Sequence, residues 1–165
     1  MHDEYPKDVN SHTFSCITRL MKIAEAARPI LKEAHSLANI PVGPGHCLGS
    51  AVLCNAMLTR WSVFKAVVKG GDGLEAGGYL DVTGTVQGHY WNEVSTPGGT
   101  FIFDLVANRF EGAAPLSIYH IEEPPAKLWI PGDQVKTDLY VELFNIELQG
   151  GVSLKHGVNV RPTTK

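Results

Sequence analysis

Between Thr13 and Ala38 the apolar residues Phe14, Ile17, Leu20, Met21, Ala24, Ala27, Leu31, Ala34 and Leu37 recur at steps of three and four. That spacing gathers them onto one stripe and predicts an amphipathic helix over 13–38. Pro29 removes an N–H from the helical ladder, so a kink or a joint between two helices is expected near Ala27-Arg28. Residues 1–12 are polar and read as flexible. Alternating Pro and Gly over 40–45 cannot continue a helix. A second helix is expected from His46 to Trp61, with Leu48, Ala51, Val52, Leu58 and Trp61 facing inward.

Beyond Trp61 the pattern changes to that of strands. Val63–Val68, Tyr79–Thr85, His89–Ser95 and Thr100–Val106 read as strands, and the glycine-rich stretch Gly70–Gly78 as a flexible loop. Thr96-Pro97-Gly98-Gly99 joins the last two strands. Pro115, Pro124-Pro125 and Pro131-Gly132 punctuate the remainder, where Lys127–Ile130 suits a short strand and Leu139–Leu148 fits helix and strand alike. Helices first and a mostly antiparallel sheet second define an α+β domain, and residues 1–165 have the length of one such domain.

Composition narrows the function. Apolar residues make up 44% of the chain and charged residues 19%, enough to bury a core. Lys and Arg number 14 against 17 Asp and Glu, a net charge of −3, and no basic cluster offers nucleic acid a surface. Apolar runs such as Ala66-Val67-Val68 are too short for a membrane span, and the acidic start Met1-His2-Asp3-Glu4 is no secretory signal. With three cysteines that cannot all pair within the chain, these features point to the reducing cytoplasm; delivery by a phage particle or a specialised secretion route stays open. Cys47 and Cys54 lie two helical turns apart, ~10 Å, too far for a disulfide.

Three chemistries compete. Gly71-x-Gly73-x-x-Ala76 follows a strand but leads into Gly77-Gly78 and another strand, without the helix whose amides would hold a phosphate. His46, Cys47, Cys54 and His89 are metal-ligand types without a metal-ligand spacing, so neither metal nor cofactor is expected. Cys47 opens the second helix, where unpaired amides and the macrodipole favour a thiolate; Cys54, deeper in the same helix, lacks that advantage. A nucleophilic thiolate needs an imidazole and an orienting carboxylate. His89 and Trp91 share a face of their strand, and Asp104 ends the next. Placing Val94 opposite Thr100 sets His89 opposite Leu105, with Asp104 one place away and brought in by a bulge or a diagonal approach. Cys47, His89 and Asp104 therefore form a candidate catalytic triad. Trp91 is a candidate floor for substrate, although a core role suits it better.

The stretches His46–Leu58, Gly88-His89-Tyr90-Trp91-Asn92-Glu93-Val94 and Phe101-Ile102-Phe103-Asp104 resemble the transglutaminase-like core of the papain-like cysteine-protease superfamily. With their spacers they cover about residues 40–110. The resemblance implies a Cys-bearing helix packed on an antiparallel sheet that carries His and Asp, and acyl transfer through a thioester on Cys47. Peptide cleavage, deamidation and transfer to an amine all fall within that chemistry, on a protein, peptide or small amide. The family's Asp-Pro-Thr is Asp104-Leu105-Val106 here, and Pro41 stands where a papain-type glutamine would be, leaving the Cys47 amide as the assignable oxyanion donor. Gly70–Gly78 reads as a lid. The alternative is a transglutaminase-like binding module without catalysis.

Overall fold

The computed structural model describes residues 7–37, 46–114 and 116–156. Helices α1 (Lys7–Leu37) and α2 (Cys47–Trp61) come first. Six strands follow: β1 (Lys65–Gly73), β2 (Gly78–Leu80), β3 (Val86–Thr96), β4 (Gly99–Asp104), β5 (Ser117–His120) and β6 (Trp129–Ile130), before helix α3 (Gln134–His156). All pairings are antiparallel: β5, β4, β3, β2 and β6 lie side by side, and β1 also pairs with β3. The expected architecture, N-terminal helices on a mostly antiparallel sheet, is thus the one found.

Alternation along the strands divides the core between two faces. Val94, Phe101 and Phe103 meet Leu20, Ala24 and Ala27 of α1 and Cys54 and Leu58 of α2. Trp91 and Ile102 point the other way, into Tyr79, Ala107 and Trp129. A third cluster joins Cys47 and Ala51 of α2 to Val68 and Tyr90 of the sheet. Full burial of side chains such as Leu58 and Phe101 is worth about 1.5–3 kcal/mol each.

Several boundaries differ from the periodicity. Helix α1 begins at Lys7, inside the stretch expected to be flexible, and runs through Pro29. Residues 1–6 and the Pro/Gly loop at 40–45 lie outside the described residues. Trp61 at the end of α2 is 37% exposed rather than inward, and Val63 is exposed ahead of β1.

The largest correction concerns Gly70–Gly78, which is neither a flexible loop nor a lid. Strand β1 continues to Gly73, with Gly70 opposite Tyr90 and Gly71 opposite His89; a 3₁₀ turn (Leu74–Ala76) leads into β2. Glycine is needed for conformation and for room. Gly70 has φ +141° and Gly78 φ +144°, and a Cβ on either would strike a β3 carbonyl, of His89 and Gln87 respectively. The strand expected over Tyr79–Thr85 stops at Leu80, because Asp81 Oδ1 accepts hydrogen bonds from the Thr83 and Thr85 amides and turns the chain into β3. Leu139–Leu148 belongs to α3, whose Phe144 ring packs on Gly49 of α2.

The β3–β4 register is shifted by one from expectation. The turn is the two-residue Pro97-Gly98, with Thr96 opposite Gly99, Ser95 opposite Thr100 and Val94 opposite Phe101. Continuing that count sets Asp104 opposite Trp91, on the face that also carries His89. The diagonal approach then suffices without a bulge. The β3–β4 ladder itself ends at Asn92–Phe103, so β4 has left β3 before the His89–Trp91 segment.

Candidate active site

Cys47 is the first residue of α2, and the first helical bond runs from Ser50 N to His46 O. The amides of residues 47–49 therefore have no acceptor inside the helix, and their positive end faces the thiol. Asn92 holds α2 against β3 by donating from Nδ2 to Ala51 O at 2.9 Å and accepting from Asn55 Nδ2 at 2.9 Å.

Asp104 is buried, a costly place for a carboxylate unless its oxygens are satisfied. They are. Oδ2 accepts from His89 Nε2 at 2.5 Å and from Trp129 Nε1 at 2.7 Å, while Oδ1 accepts from the Val106 amide at 3.0 Å. Burial alone would raise its pKa. The charge and hydrogen bond of His89, aided by Trp129 and Val106, outweigh that and hold the carboxyl below its usual range.

The His89 ring is fully buried, 5.0 Å centroid to centroid from Phe110, which meets it edge-on. Since Nε2 bonds a carboxylate, that nitrogen carries a proton and Nδ1 is left for exchange. Nδ1 has no hydrogen bond of full geometry, yet the Cys47 thiol faces it closely enough for each group to shift the other's titration. Burial depresses the His89 pKa, but Asp104 first and Cys47 second raise it to about 9. Burial pushes the Cys47 thiol up; His89, the Arg109 charge and the Tyr90 backbone N–H more than reverse this, and the net shift is downward. Cys54 responds oppositely, raised by burial and by the charge of Asp104. The two shifts favour the thiolate at Cys47 beside a charged His89 and the neutral thiol at Cys54.

Cys47 opens into a cavity of about 620 Å³, walled also by His35, His46, Asp72, Gln87, Arg109 and Phe110. The three residues singled out from the sequence as a triad thus meet in one place. Trp91 does not line the cavity. It is 1% exposed and packs in the core beside His89, their ring centroids 6.3 Å apart.

The sequence reading missed Trp129, Arg109 and the Tyr90 amide. Trp129 follows Asp104 by 25 positions, and no local pattern joins them. Arg109 sits just after the Asp104 strand, where a lone cation in a polar turn carries no signal. Among the described residues no three His, Cys, Asp or Glu side chains gather as metal ligands, and no helix is long and apolar enough to cross a membrane. No protein-family model, curated protein or solved structure matches the chain.

Proposed function

We infer that this chain is a cysteine-dependent acyl-transfer enzyme of the transglutaminase-like, papain-like kind, with Cys47 as nucleophile, His89 as acid and base, and Asp104 as orienting carboxylate. The observation that carries the reading is the buried His89 ring, tied by Nε2 to Asp104 and presenting an unpartnered Nδ1 to the Cys47 sulfur. The thiolate adds to the carbonyl carbon, and the displaced electron pair forms an oxyanion beside the Cys47 amide, which has no acceptor within its own helix. As the C–N bond breaks, the departing amine takes the proton from His89 Nδ1, leaving a thioester. Water or an amine then gives a proton to Nδ1 and displaces the thiolate. The cavity of about 620 Å³ suits a peptide segment or a small amide. Three free cysteines suit a reducing compartment, the cytoplasm foremost.

The test is intact-mass analysis of the protein exposed to activated acyl donors, together with iodoacetamide labelling at limiting dose. Wild-type protein should gain one acyl group and lose it to hydroxylamine, and C47A should gain none. Labelling should favour Cys47 at pH values well below the ~8.5 of a free thiol. Equal labelling of Cys47 and Cys54, with no acyl adduct, would return the chain to a binding module without catalysis.

A further inference from the structure

Among the described residues, the wall of the Cys47 cavity carries one permanent cation, Arg109, in a chain of net negative charge. The sequence has a net charge of −3, and the permanently charged side chains that line the cavity are Arg109 and one carboxylate, Asp72; burial holds the neighbouring His35 toward its neutral form. Asp72 is already engaged. It accepts from Tyr90 Oη at 2.7 Å, Lys136 Nζ at 2.7 Å and Tyr140 Oη at 3.4 Å, so little of its charge is left for a ligand.

Arg109 is different. Its Nη2 donates to the carbonyl of Gly88, the neighbour of His89, at 2.5 Å, and its guanidinium carbon lies 4.5 Å from the Phe110 ring centroid. The side chain is thereby fixed beside the reacting pair. Among the described residues no carboxylate lies within ion-pair distance of it, and the rest of its planar fork of donors remains available.

We propose that Arg109 makes the cavity mouth a carboxylate subsite, selecting acyl donors that carry a negative charge close to the reacting carbonyl. A single guanidinium matches one carboxylate, whose two oxygens fit its fork; a doubly charged phosphate would call for a second free cation. The proposal rests on the reading of Cys47 as a reactive thiolate and adds the class of molecule that reaches it.

Iodoacetate and iodoacetamide separate the two claims. They share a leaving group and differ by a carboxylate, so the ratio of their rates at Cys47 cancels the reactivity of the thiolate and reports attraction of the anion. Rates are read by mass spectrometry of the Cys47 peptide, at low ionic strength, in wild type, R109Q and R109K. The iodoacetate-to-iodoacetamide ratio should fall about tenfold in R109Q, the scale of one charge-assisted hydrogen bond, and recover most of the way in R109K. A ratio that survives in R109Q, or that falls as far in R109K, overturns the subsite. Wild-type Cys47 reacting with iodoacetamide no faster than Cys54 overturns instead the thiolate reading beneath it.

Discussion

A carboxylate as deeply buried as Asp104 is tolerated because three donors reach it, and both the carboxylate and the Trp129 donor can be tested. Replacing Asp104 by Asn keeps an acceptor but removes the charge that sustains the His89 imidazolium. The ring, raised to about 9 chiefly by that charge, should then titrate well below this value because burial disfavours its charged form, while the Cys47 thiol moves up. Ring ¹⁵N chemical shifts followed across pH read the first change, and the acid limb of Cys47 alkylation reads the second; an unmoved ring would deny Asp104 its role. Trp129→Phe removes one donor and leaves Asp104 Oδ2 to His89 alone. A stability loss of about 1.5–3 kcal/mol is expected from the lost charge-assisted hydrogen bond. If Trp129 positions the carboxylate as well as filling space, the His89 titration should shift in this variant too.

At the scale of elements, the glycines of β1 bring a strand against His89. Gly70→Ala should force apart the β1–β3 pair, since the added methyl meets the His89 carbonyl at a φ that alanine disfavours. A loss of more than ~3 kcal/mol in chemical denaturation is expected, against about 1–2 kcal/mol for alanine at the open Gly84, where φ is also positive but nothing lies within reach. Comparable losses would show that backbone strain alone, without the clash, decides the matter. Here the sequence was least informative. Gly70-Gly71-Asp72-Gly73 has the composition of a loop, and only the neighbouring backbone explains why a strand there must lack side chains. The helices were legible because their apolar positions step by three and four, and the β3–β4 hairpin because Pro97-Gly98 separates two apolar runs. The register was not: one residue more or less in the turn changes the face on which Asp104 lies, and local chemistry allowed either count. Cys47, His89 and Asp104 were found because a thiol at a helix start, an imidazole and an acid in an apolar strand are each unusual. Trp129 resembles any core tryptophan until its partner is seen.

For the whole molecule, the site links the folded state to pH. Asp104 has a lower pKa folded than unfolded, so its contribution to stability is present above about 3.9 and is lost as pH falls through the depressed folded value. On the alkaline side two groups oppose one another. His89, raised to about 9, loses its contribution as pH climbs from the unfolded value of about 6.5, while Cys47, lowered, gains one over an overlapping range. Melting temperature should therefore fall as pH drops through the range in which Asp104 becomes protonated. The acid decline should be shallower in D104N; parallel declines in the two proteins would place the acid-sensitive group elsewhere.

The sealed Nε2 of His89 also dictates an order of events in the proposed reaction. With one ring nitrogen committed to Asp104, a single proton-exchanging atom serves both the departing amine and the incoming acceptor. The first must vacate before the second can engage, which requires double-displacement kinetics. Reciprocal plots at several acceptor concentrations should run parallel, and a good acceptor should inhibit when it occupies the resting form ahead of the donor.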